Sequence, residues 1–161
     1  MGARGGLSGL IDLGLNPLYV ASNFPYLAPS NHQRISDPTD NYNCISHAYG
    51  IDNRRMWPMQ APRYWWPAGV RNDEHVDAFV DLFVKIGYKV CQTAEFEVGF
   101  EKVAIYTTDG PTHAARQLPS GHWTSKLGNL ADIEHDTLDN INGPLYGSAV
   151  RFLRRPRAAS A

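Results

Sequence analysis

Apolar and polar positions change their period along this chain, and the change marks its elements. Between residues 72 and 86, Val76, Phe79, Val80, Phe83 and Val84 recur at i, i+3, i+4, i+7 and i+8. That spacing predicts a helix with one buried face. Asn72 is its predicted cap, Asp73 and Glu74 suit its positive end, and Gly87 follows it. From Tyr88 onward the period is two. Residues 88–92 and 101–107 read as strands, and residues 112–118 and 122–127 read as a hairpin turned at Pro119-Ser120-Gly121. Residues 131–135 read as one helical turn, and residues 146–153 as a last strand. The sum is an α+β domain built on an antiparallel sheet of at least three strands.

The ends carry weaker patterns. Residues 1–39 read as an irregular arm laid across the domain. Within it, residues 10–15 are too short and glycine-broken for a helix, residues 18–20 suggest a short strand, and Asn16-Pro17 and Asn23-Phe24-Pro25 mark turns. Residues 40–153 form the folded unit, and the basic residues 154–161 read as a disordered tail. Three of the four tryptophans, Trp57, Trp65 and Trp66, fall in one proline-punctuated loop. They either cover an edge of the core or, with Trp123, wall a substrate cleft.

Composition narrows the function classes. A chain of 161 residues is long enough for one well-buried core. A formal charge of −1 exerts no pull toward nucleic acid or anionic membrane. No apolar run approaches the roughly 20 residues needed to span a bilayer. The N-terminus breaks into Gly, Ser and Asp instead of a signal-peptide core. The expectation is a cytoplasmic protein, or one delivered as an effector, with a peptide or protein substrate, no membrane, no nucleic acid and no cofactor. Two cysteines, Cys44 and Cys91, make neither a disulfide framework nor a zinc ligand set, and are expected as free thiols.

The chemistry gathers at Asp40-Asn41-Tyr42-Asn43-Cys44. Asp40, Asn41 and Asn43 favour a helix start, which places Cys44 in a first turn where the helix dipole supports a thiolate. His113, just after a Gly-Pro turn at the start of a strand, is the candidate base. His47, three residues after Cys44, is the alternative base. A metal set of His47, His113, Asp132 and His135 can be drawn, but it lacks a tight ligand motif, so no metal is expected.

A helix-borne cysteine followed by a strand-borne histidine resembles the papain-like, NlpC-type cysteine hydrolases. The segments Asn43-Cys44, Trp65-Trp66-Pro67, residues 113–118 and residues 123–128 also resemble a bacterial family of small uncharacterised domains. The papain-like resemblance implies an antiparallel sheet packed against the helix that bears the nucleophile. It implies Cys44 as nucleophile, His113 as base and then acid, and a third polar residue on the strand after the histidine. Ser125 holds that place, with Asp132 and His135 as rivals from the next segment. Asn43 or the Cys44 backbone N–H would stabilise an oxyanion. The implied activity is hydrolysis of an amide or thioester bond. The alternative is a non-catalytic recognition, immunity or host-defence module on the same scaffold.

Overall fold

The computed structural model describes residues 17–158. Seven strands form one sheet: β1 His32–Arg34, β2 Lys89–Cys91, β3 Phe100–Thr107, β4 Pro111–Gln117, β5 Trp123–Lys126, β6 Asp132–His135 and β7 Ser148–Pro156. They lie in the order β1-β6-β5-β4-β3-β7-β2, and every neighbouring pair is antiparallel. The predicted α+β class with an antiparallel sheet is therefore the observed one.

Both faces of the sheet are covered, so its central strands carry apolar residues on both sides. On one face Val103, Ile105 and Ala114 pack against α2, Cys44–Tyr49, and α3, Val76–Val84. On the other, Ala104, Tyr106, Ala115, Trp123 and Ile133 pack beneath Val20, Phe24 and Tyr146. α3 is anchored by Phe79 and Phe83, both fully buried; each contributes about 1.5–3 kcal/mol of transfer free energy. Its cap is His75, whose side chain accepts from the Asp77 N–H, and not Asn72. Its buried face is Ala78, Phe79, Leu82 and Phe83, while Val84 is exposed.

Three expectations change. Residues 18–20 belong to a helix, α1 Pro17–Asn23, not a strand. Proline suits a first helical position, and Val20 and Phe24, one turn apart, both reach the core. The arm also supplies β1, an edge strand paired with β6; residues 10–15, read as too short and glycine-broken for a helix, lie outside the described residues. Asp132–His135 is a strand, not a helical turn. It has ladder partners on both sides, β1 and β5, whereas an isolated helical turn fixes several dihedrals for one hydrogen bond. Last, β7 carries Arg154, Arg155 and Pro156 into the sheet. Arg155 bonds Glu101 at 2.7 Å and the Ile86 carbonyl at 2.7 Å, so this part of the basic tail is ordered.

Two glycines permit close approach at one corner. A Cβ on Gly143 would lie 2.5 Å from the Asn23 carbonyl oxygen, and one on Gly147 would lie 1.9 Å from that of Thr107. The loop between them thus rests directly on the arm and on β3.

Candidate active site

Asn43 caps α2 as predicted. Its Oδ1 accepts from the backbone N–H groups of Ser46 and Met56, and its Nδ2 donates to the Met56 carbonyl. A side chain so committed is not free to meet an oxyanion, which corrects that expectation for Asn43. The backbone N–H groups at the start of α2, that of Cys44 among them, remain for the role.

Cys44 opens the helix but is only 6% exposed. Burial pushes its thiol up to about 12, against the pull of the Ala114, Ile45 and Cys44 N–H groups and of Lys126. A helix of six residues has a small dipole, and desolvation outweighs it. The resting sulfur is a thiol, contrary to the predicted thiolate. It donates to the Thr112 carbonyl at 3.8 Å, one residue before His113, at the end of β4 beyond the pairs that join it to β5.

Alternation along β4 decides where His113 points. Ala114 faces α2 and α3, whereas Ala115 faces the opposite cluster. His113 shares the side of Ala115. Its ring meets Tyr106 edge-on, with centroids 5.2 Å apart, and stacks on Tyr146. Its Nε2 lies 3.0 Å from Ser125 Oγ, and its Nδ1 is buried without a partner. Among the described residues no hydrogen bond joins Cys44 to His113. Burial, then the neighbouring His135 and His47, hold the His113 imidazole well below the usual histidine range.

Ser125, the predicted third residue, is thus in contact with the predicted base. It also meets His135 Nε2 at 2.8 Å, and His135 Nδ1 meets the Thr137 carbonyl at 2.8 Å. Asp132 and His47 lie on the other face. His47 Nε2 is 2.9 Å from Thr124 Oγ1, and its Nδ1 is 3.6 Å from Asp132 Oδ2, which accepts from the Tyr42 hydroxyl at 2.5 Å. Burial lowers His47 to about 4, although Asp132 pulls it upward. The sheet therefore splits the drawn metal set into His113 with His135 and His47 with Asp132. Among the described residues no group of three or more such side chains is arranged to hold a metal ion.

The family model for a domain of unknown function, DUF7689, matches residues 33–154. The chain belongs to this family. The DUF7689 match takes in Cys44, His113, Ser125 and His135, and leaves α1 and Phe24 outside. No curated protein and no solved structure matches the chain.

The tryptophans do not wall one cleft in this DUF7689 chain. Trp57 and Trp66 pack on Phe79, with centroids 5.0 and 5.2 Å apart, and Trp65 packs edge-on to Tyr49. They cover the α3 side of the core, while Trp123 is buried in the opposite layer. Cys44 and Cys91 are both free thiols. No helix among the described residues is long and apolar enough to cross a membrane.

Sequence reasoning missed Tyr146, which stacks on His113, and Lys126, fully buried with its Nζ donating to the Leu130 carbonyl at 2.6 Å. The alternation Trp123-Thr124-Ser125-Lys126 held the signal for Lys126, since it puts Lys126 on the side of Thr124. Nothing local marked Tyr146.

Proposed function

We propose that the domain is a cysteine hydrolase of papain-like type, with Cys44 as nucleophile, His113 as base and then acid, and Ser125 as the group that holds His113. One observation carries this reading. His113 has its Nε2 on Ser125 and its Nδ1 unpartnered, and the carbonyl that takes the Cys44 thiol belongs to the adjacent residue. That is the division of labour a triad needs: one ring nitrogen held, the other open to a proton.

The resting pair is neutral, because burial raises the thiol and lowers the imidazole. The thiol proton therefore leaves only as sulfur bonds to the substrate carbonyl carbon. Because Cys44 packs with α2 and α3 while His113 points to the other face of β4, the proton's transfer to His113 Nδ1 requires passage around the end of the strand at Thr112. The oxyanion so formed is met by backbone N–H groups at the start of α2. His113 then returns the proton to the leaving amine or thiol as the tetrahedral species collapses to a thioester. Water, deprotonated by His113, releases a carboxylic acid and restores the thiol. The substrate class is an amide or thioester of a peptide or protein, a glutamine side chain included.

Burial of the same sulfur favours the second reading, a non-catalytic recognition, immunity or host-defence module in which Cys44 is a small apolar filler. One experiment separates the two. The protein is incubated with electrophilic acyl probes and the adducts are mapped by mass spectrometry. The hydrolase reading expects an adduct on Cys44 that His113→Ala suppresses at least ~100-fold, the scale of general base catalysis. An unmodified Cys44, or equal labelling in His113→Ala, leaves the recognition module.

A further inference from the structure

The buried contacts around Ser125 have a direction. The Thr137 carbonyl can only accept, so His135 Nδ1, 2.8 Å away, carries the hydrogen. His135 is fully buried, and its neutral ring then presents a bare Nε2. Ser125, 2.8 Å from that nitrogen, must donate its one hydrogen there. Its oxygen is left to accept, and among the described residues the other ring bonded to it is His113, whose Nε2 at 3.0 Å must be the donor. The hydrogen on His113 is thereby assigned to Nε2, and its Nδ1 is a bare lone pair, buried and unpartnered.

We infer that His135 is a positioning residue: through Ser125 it holds His113 in the Nε2–H form and keeps Nδ1 basic. The polarity originates at the Thr137 backbone and runs through two side chains on neighbouring strands, β5 and β6. A serine alone orients an imidazole in neither sense, because its hydroxyl can donate or accept. Adding His135 removes that freedom. The inference gains its catalytic meaning from the hydrolase reading, but the ring forms it specifies are properties of the resting protein.

The same relay makes a prediction about substitution. In His135→Phe the Ser125 hydroxyl has no acceptor on β6, so it turns to His113 Nε2, and the His113 hydrogen moves to Nδ1. In His135→Gln the side-chain carbonyl can accept from Ser125, so the wild-type form is kept. In Ser125→Ala the link is cut and His113 loses its single form. A purely structural role for His135 would not reverse one ring and spare it under the glutamine replacement.

The test is long-range proton–nitrogen NMR of the full-length, nitrogen-15-labelled protein near neutral pH, which distinguishes pyrrole-type from pyridine-type ring nitrogens. The expected result is hydrogen on Nε2 of His113 and on Nδ1 of His135, with His113 reversed in His135→Phe and retained in His135→Gln. Hydrogen on Nδ1 of wild-type His113 overturns the inference, and so does a wild-type pattern in folded His135→Phe or Ser125→Ala. Should His135→Phe fail to fold, the wild-type spectrum and Ser125→Ala decide. The hydrolase reading is judged separately by acyl-probe labelling of Cys44. An inert thiol beside correctly formed rings removes that reading alone, and a reactive thiol beside the opposite ring form removes the relay alone.

Discussion

Tyr146 lies flat against His113, with ring centroids 4.2 Å apart and an interplanar angle of 17°. Tyr146 in turn meets Phe24 of the arm edge-on, with ring centroids 5.4 Å apart. Together the two rings cover the candidate base from one side, and Phe24 lies outside the family match.

Thinning that cover should expose the base. Phe24→Ala and Tyr146→Ala are expected to raise the rate at which His113 is carbethoxylated, with exposed His75 as the internal reference. Each also removes a large buried ring, so about 3–5 kcal/mol of stability should be lost. Peptide mapping after timed carbethoxylation in folded protein is the measurement. Unchanged His113 labelling in both variants would mean that the cover lies elsewhere.

Stability should peak near neutral pH and fall on both sides. His47 and His135 are lowered by burial to about 4 from 6.5, so the unfolded chain takes up protons before the folded one. Their contribution is complete above 6.5 and is lost as pH falls through about 4, on the order of 3 kcal/mol for each. Cys44 is raised by burial to about 12 from 9.0. Its contribution is complete below 9.0 and is lost as pH rises toward 12. Urea titrations at pH 5, 7.5 and 10.5 check both limbs; Cys44→Ala should lessen the alkaline one, which Tyr42 and Tyr88, raised by burial to about 12 from 10.0, share. Equal stability at pH 5 and 7.5 would contradict the burial of these imidazoles.

Asn43→Ala should cost more than an ordinary cap. The side chain holds the first turn of α2 at Ser46 and also clamps the loop at Met56 through two hydrogen bonds. A loss at the upper end of the usual range, about 2 kcal/mol, is expected in chemical denaturation. Asn43→Asp keeps the acceptor but loses the donor to the Met56 carbonyl, and should fall between the two. A loss below about 0.5 kcal/mol would show that the clamp is not needed.

Gly143→Ala should loosen the arm. The new methyl would lie 2.5 Å from the Asn23 carbonyl oxygen and 2.9 Å from Pro25 Cδ. Overpacking of that kind costs about 1–3 kcal/mol. The expected signature is faster proteolysis within residues 17–31 before the rest of the domain is cut. Protection equal to wild type would mean that the contact relaxes without consequence.

The pattern of the chain foretold the parts of the fold that depend on local period. β3, the β4–β5 hairpin, β7 and α3 were all readable, because each presents its apolar residues at the spacing its backbone requires. Asp132–His135 was not, because four residues carry too little pattern and their strand character comes from β1 and β5 on either side. The pairing of Ser125 with His113 followed from the papain-like resemblance, which implies a third polar residue on the strand after the histidine. The charge state of Cys44 did not, because it depends on burial of the sulfur in a layer assembled from segments distant in sequence. Those long-range contacts have no signature in the residues around position 44. The sharing of Ser125 between two imidazoles was hidden for the same reason, since it needs β6 to be a strand.

β7 sits inside the sheet, between β3 and β2, although it comes last in the chain. While the protein is being synthesised, β3 must therefore wait with one edge bare until its partner has left the ribosome, nearly fifty residues later. Among the described residues β2 has no other strand to join in the meantime. Growth of this sheet cannot proceed simply outward from early segments; the last of its strands in sequence is the one that joins β2 to the rest.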